Sequence, residues 1–312
     1  MPKKFLILIT LILFTGTSPA QITFKVVDKK TINLDDQYLI APQWSPDGNF
    51  IAAAGNNYGS IWIYNIKMNK WKKLIEQNGA GWDFDWSPDS KKIAFRANIF
   101  NNRRKQTIIK YVDIATGKVR KVVAYNRNFS TPKWITDEWL AFLHNDEFKT
   151  VSIANNNMTS SALNVPQKNI CLLSNAGVYI KKSNQAVKPL DSVKGQIFNV
   201  SFSPDGKTIL FKRPGRKIFT LKENTTKAKL IAEGEMPCWS PSGKFIVFSK
   251  TKEDGYKYLS SDIFICDSEG GNERQITRSK DELEMRPDWS PDGKKIACDS
   301  NGKIILINLE TE

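Results

Sequence analysis

The 312-residue chain predicts an all-β fold, a β-propeller of four-stranded blades, and three observations predict it. A short turn motif led by an aromatic residue recurs along the chain. Each copy is followed by brief apolar strands at similar spacing. The N-terminal stretch holds a strand that the last unit lacks. Repeats with a period of roughly 20–50 residues are the signature of stacked or radial arrays, in which no unit buries its apolar faces alone.

The motif first reads Trp44-Ser45-Pro46-Asp47-Gly48 and recurs as Trp86-Ser87-Pro88-Asp89-Ser90. Further copies are Phe202-Ser203-Pro204-Asp205-Gly206, Trp239-Ser240-Pro241-Ser242-Gly243 and Trp289-Ser290-Pro291-Asp292-Gly293. Its chemistry is that of a turn. Pro presets φ, Asp bonds nearby backbone, and Gly accepts φ > 0. The leading aromatic is a core anchor that ends one strand. A short apolar strand follows each turn, such as Ile93-Ala94-Phe95 or Phe245-Ile246-Val247-Phe248. A second comes after a variable loop, such as Ile61-Trp62-Ile63-Tyr64 or Ile263-Phe264-Ile265-Cys266. A weaker fourth strand ends the unit, as at Val119 to Val123 and Arg274 to Thr277. Four short strands per unit describe a propeller blade.

Anchors lie 42 residues apart from Trp44 to Trp86, 37 from Phe202 to Trp239 and 50 from Trp239 to Trp289. In the middle, Trp134-Ile135-Thr136-Asp137 stands in for the motif. The stretch Ile170 to Leu190 reads as a short blade without a motif. That gives seven blades, with six as the alternative if this stretch is an insertion. The last unit ends after Ile304 to Leu309 without an outer strand. Thr31-Ile32-Asn33-Leu34 lies at the right offset to supply it, which closes the ring and removes an exposed edge.

Residues 1–20 are a different material. Lys3 and Lys4 precede the apolar run Phe5 to Phe14, and small residues lead to Ala20. This is the three-part plan of a secretory signal peptide, with the cut expected after Ala20. The remaining 21–312 read as one propeller domain, periplasmic or secreted and not membrane-spanning. Against 46 Lys and Arg stand 32 Asp and Glu, a formal charge of +14. Such a surface favours anionic partners. Export and the lack of a reading motif argue against nucleic acid. Cys171, Cys238, Cys266 and Cys298 show no CxxC spacing and read as buried thiols, with one disulfide allowed in an exported chain.

The run Ser261-Asp262-Ile263-Phe264-Ile265-Cys266, followed by Gly270-Gly271-Asn272 and Arg274-Gln275-Ile276-Thr277, resembles the TolB-type, WD40-like (PD40) propeller repeat. The resemblance covers about Thr31 to Glu312. It implies a bacterial envelope setting and a protein or peptide partner. Related propellers also occur in prolyl peptidases and polysaccharide lyases. The α/β domain that precedes the propeller in TolB, and the hydrolase domain that follows it in the peptidases, have no counterpart in the repeats read here.

Candidate chemistry is sparse. His144 is the single histidine, so His-cluster metal sites are excluded and a Ser-His-Asp arrangement lacks an activated serine. Loop carboxylates such as Asp281, Glu282 and Glu284 could draw calcium, but acidic loop runs of this kind are usually solvated. No metal or cofactor is expected. Asp83 and Asp85 alternate along an inner strand, and Asp288 and Lys133 hold places matching Asp85. A polar ring round the channel is the expectation, with a carboxylate pair of a lyase or hydrolase as the alternative.

Binding chemistry is better represented. Loops joining blades, and loops between second and third strands, share one propeller face. Those loops bring Trp82, Asp83, Arg103, Arg104, Arg127, Phe129, His144, Arg213, Arg216, Tyr256 and Arg286 to that face. Tyr58, Phe100, Lys105 and Tyr258 lie in the same loops. Arg and aromatic residues are the commonest binding anchors. The sequence therefore predicts a monomeric, non-enzymatic module for a protein or peptide partner, with an acidic glycan as the second class of ligand.

Overall fold

The computed structural model describes residues 23–311, apart from 102–103, 126–128, 155–157, 160–168, 175–176, 183–184, 186–187, 191–194 and 281. The expected signal peptide, with Lys3, Lys4 and its cut after Ala20, lies outside the described residues, as do Arg103, Arg127 and Asp281.

Short antiparallel sheets follow one another round a ring. Among the described residues six have four strands and one has three. The first is Ile40–Trp44, Phe50–Ala54, Ser60–Asn65 and Lys70–Glu76. The motif-less stretch forms the three-stranded sheet, Ile170–Ser174, Gly177–Lys181 and Lys188–Pro189. It packs on both neighbours. Ile170 and Leu172 join Ile135 and Leu143 on one side. Cys171, Val178 and Ile180 join Ile209 and Phe211 on the other. The stretch is thus a unit of the ring. Each apolar cluster elsewhere likewise joins two neighbouring sheets, so burial depends on the whole ring.

The turn motif performs as its chemistry dictates. In the first unit the Ser45 hydroxyl donates to Asp47 Oδ1 at 2.6 Å and accepts the Phe50 N–H at 2.9 Å. The same pair of bonds holds Ser87, Ser203 and Ser290. Gly48 has φ 72°, the left-handed conformation that such a turn demands. The anchors Trp44, Trp86, Trp134, Trp239 and Trp289 are buried.

The closing strand is longer than the sequence predicts and starts earlier. It runs Phe24–Ile32 rather than Thr31 to Leu34. It pairs antiparallel with the last strand, from Phe24 opposite Thr311 to Ile32 opposite Ile304. Phe24 explains the extension. Its ring stands edge-on to Phe245 at 4.8 Å and to Trp289 at 5.6 Å. Lys29 fastens the strand through Glu284 at 2.6 Å and Ser279 at 3.0 Å. Glu284 is fully buried, and Glu282 lies 3.9 Å from Lys29, so these two carboxylates serve as a clasp. Among the described residues no group of ligating side chains could hold a metal ion. The four cysteines are free thiols, all buried except the half-buried Cys238.

Candidate binding face

The inner strands enter the ring at one face and end at the turn motif on the other. At the entry face lies a central cavity of about 680 Å³. Every sheet contributes to it. Its apolar lining includes Pro42, Leu143, Leu173, Ile197, Phe198 and Met236, and Trp82 stands at its edge.

The backbone there is unusual. Ala41, Asp83, Asn199, Met236 and Arg286 all have φ between 49° and 52°. Each lies three residues before an anchor aromatic, and each lines the cavity. The strand pairing slips at the same place in four units, for example between Ile40 and Gln43 and between Met285 and Asp288. Non-glycine residues rarely adopt φ > 0, and such strain concentrates where a surrounding fold holds it for a purpose. The slip bends each inner strand and turns one side chain into the mouth of the ring.

Residues just before the anchors lock neighbouring sheets. Asp85 Oδ2 accepts the Trp134 N–H at 2.7 Å, and Asp288 Oδ2 accepts the Trp44 N–H at 2.7 Å. The Cys238 thiol donates to Asp288 Oδ1 at 3.2 Å. Lys133 lies 3.4 Å from Asp83 and 3.6 Å from Asp85. Burial opposes the charge on Lys133, but the two carboxylates outweigh it and raise its pKa. Burial would raise the Asp83 carboxyl, yet Lys133, with Thr131 and Arg96, holds it below the usual range. The polar ring expected from the sequence is therefore a set of struts between blades.

Asp288 differs from Asp83, because no cation among the described residues offsets its burial, which pushes its carboxyl up to about 6. The folded state then holds a proton between 3.8 and about 6 that the unfolded chain has released. Stability from this group falls as pH rises through that window. The melting temperature of Asp288→Asn minus that of the parent should grow from about pH 4 to about pH 7. A constant difference across a pH series of thermal melts would contradict this assignment.

The structure divides the predicted site residues. Trp82, Asp83, Phe129 and Arg286 line the central cavity. Arg286 is already paired with Asp299 at 2.7 Å. His144 does not line it. The third unit pairs Trp134 with Leu140, whereas the second pairs Trp86 with Ile93, so the connection is one residue shorter. Leu143 takes the place facing the cavity, and the His144 ring stacks on Phe129 at 4.9 Å. Arg213 lies over the Phe211 and Phe219 rings, at 5.6 and 5.2 Å. Arg216 is bound to Glu253 at 2.6 Å and to the Thr251 carbonyl at 2.7 Å. Tyr256 is fully exposed on the hairpin between Phe245–Glu253 and Tyr258–Asp267. Arg104 opens the strand Arg104–Asp113.

Sequence reasoning missed Arg96, Lys212, Phe198 and Met236 in the cavity. A positional signal existed for two of them. Arg96 and Lys212 each lie ten residues after an anchor, Trp86 and Phe202.

No family model matches the chain. It is 24% identical over 305 residues to dipeptidyl-peptidase 5 of Porphyromonas gingivalis, covering 91% of the chain and 41% of that protein. It is 23% identical over 266 residues to the Tol-Pal system protein TolB of Francisella tularensis, covering 82% of the chain and 55% of TolB. The chain thus spans about half the length of these curated relatives. Among solved structures, TolB of Acinetobacter baumannii matches with a TM-score of 0.55 at 18% identity, over 84% of the chain and 59% of TolB. A putative TolB of Agrobacterium tumefaciens matches with 0.54 at 18% identity, over 93% and 97%. The Cps50 (Swd1) propeller of Myceliophthora matches with 0.64 at 14% identity, over 92% and 100%. In sequence and fold the chain is similar to the TolB propellers.

Proposed function

We propose that this chain is an extracytoplasmic binding module whose cavity-bearing face receives a protein or peptide partner in the cell envelope. The observation that carries the reading is the convergence of all the sheets on one cavity with an apolar lining and a rim of left-handed residues. A concave apolar site with few polar groups is the usual form of a recognition pocket. Exposed Trp82, Phe198 and Met236 offer anchors for apolar side chains at its edge. Similarity to TolB supports the partner class and the envelope setting.

The carboxylates favour binding over catalysis. Asp83 and Asp85 share Lys133, and Asp288 spends both oxygens on Trp44 and Cys238. General acid–base work needs a carboxyl free to exchange its proton with a substrate. The name of the dipeptidyl-peptidase relative describes a protein of which the chain spans 41%, and no activity is carried over from it. The test is cross-linking in the cell envelope. A photoreactive residue in place of Phe198 should capture a protein, and one in place of Asp47, on the opposite face, should not.

A further inference from the structure

Beside the central cavity, between the first and second sheets, lies a smaller cleft of about 340 Å³. It shares Tyr58, Trp82 and Arg96 with the cavity, so the two adjoin. Its composition is different. The cleft adds the amides of Asn57, Asn78 and Asn98 together with Lys105 and Thr107. Among the described residues two cations line it and no carboxylate does, whereas Asp83, Asp146 and Asp288 all reach the central cavity.

The cleft is built rigidly. Asn57 and Tyr58 have φ 51° and 55°, two successive left-handed residues without a glycine. The Tyr58 ring meets Trp82 edge-on at 4.7 Å. Backbone bonds tie the walls together. The Gly81 N–H donates to the Tyr58 carbonyl at 3.0 Å, the Gln77 N–H to Gly59 at 2.8 Å and the Asn98 N–H to Asn78 at 2.8 Å. Gly81 is required here, since a Cβ would come within 2.8 Å of the Ser60 carbonyl. Gly79, with φ 80°, leaves the space that a Cβ would take from the Asn98 amide. A preorganised wall spends little entropy on ordering when a ligand arrives.

We infer that this cleft is the carboxylate subsite of the partner-binding face. The inference rests on the binding role proposed above and names the chemistry of the partner. Arg96 donates to the Phe129 carbonyl at 2.7 Å and is drawn electrostatically to Asp83 on the cavity side, while Lys105 stands exposed at the rim. Amide and guanidinium donors with an ammonium group suit a carboxylate. The neighbouring cavity lining is apolar, through Leu143, Ile197, Phe198 and Met236. An occupant that spans both carries an apolar side chain next to a carboxylate. That is the signature of an acidic peptide segment rather than of a polyhydroxylated glycan.

The probe is a displayed library of random linear peptides, selected on the mature chain. The selected peptides should share an apolar residue close to Asp, Glu or a free C-terminus. Lys105→Glu should weaken them about tenfold, the scale of one charge-assisted contact. Lys257→Glu, outside the cleft, should leave them unchanged. Replacing Asp or Glu by its amide, or amidating the C-terminus, identifies which carboxylate is held. Peptides without an acidic preference, or equal binding to Lys105→Glu, overturn the inference. If such peptides are still lost with Phe198→Ala, the binding face stands and only the subsite falls. A selection without binders overturns both readings. Binding of oligogalacturonate in place of any peptide, lost in Lys105→Glu, overturns the peptide assignment.

Discussion

Deleting Phe24–Ile32 is expected to destabilise the protein by about 5 kcal/mol or more, a large share of the roughly 5–15 kcal/mol that holds a typical domain folded. Several losses combine. Ile32 is buried and leaves the cluster that joins the last sheet to the first. Phe24 leaves the cluster between the last sheet and its other neighbour. Each large apolar side chain so lost costs about 2 kcal/mol, and each orphaned hydrogen bond about 1 kcal/mol. Trp71 also loses the Ile32 carbonyl that accepts its indole N–H at 3.0 Å. Glu284, fully buried, loses its Lys29 partner, and an unpaired buried charge is costly. The strand Lys303–Thr311 then becomes an open edge, a template for aggregation. Thermal melts and size-exclusion chromatography measure both effects. A separate Phe24–Ile32 peptide should restore the melting temperature in part, which identifies the lost strand as the cause. An unchanged melt of the truncated chain would show that closure is not what holds the ring.

Trp134→Ala is expected to cost about 3–5 kcal/mol, the range for removing a fully buried aromatic. Trp134 is the least exposed of the anchors, at 0%. It joins the second sheet to the third through Ala94, Ile109 and Tyr111. Its indole N–H donates to the Asp85 carbonyl at 3.2 Å, and the Tyr111 ring stands edge-on at 6.1 Å. The substitution therefore removes packing on both sheets and orphans an acceptor. A fall in melting temperature of about 10 °C should follow. Trp82→Ala is the comparison. That side chain is 52% exposed at the cavity edge, so its loss should shift the melt by only about 2 °C. Equal effects of the two would contradict the separation of anchor from binding residue.

This contrast shows what the sequence makes legible. Anchors and turns repeat because one geometry recurs at each unit, and that geometry needs the same residue types. Trp134 is recognisable even where Thr136 and Asp137 replace the motif. The closing strand is legible in place but not in length, since Phe24 and Val26 pack against the preceding sheet as well. The left-handed rim is different. Ala41, Asp83, Asn199, Met236 and Arg286 share a backbone conformation and no side-chain chemistry, so residue type does not betray them. Loop position alone also misjudges strand ends. Lys212 lines the cavity while Arg213 turns back over Phe211 and Phe219, because successive side chains on a strand point to opposite sides. The cleft beside the cavity is assembled from Tyr58, Asn78, Asn98 and Lys105, which only the packing of two sheets brings together.

The most direct measurement is the position of a photo-cross-link made in the cell envelope. The chain would carry the reactive residue at Phe198, on the cavity rim, or at Asp47, in a motif turn on the opposite face. The account predicts a protein adduct from position 198, lost when Met236→Glu adds a charge to the rim, and none from position 47. An adduct from position 47 alone, or one from position 198 that survives Met236→Glu unchanged, would contradict it.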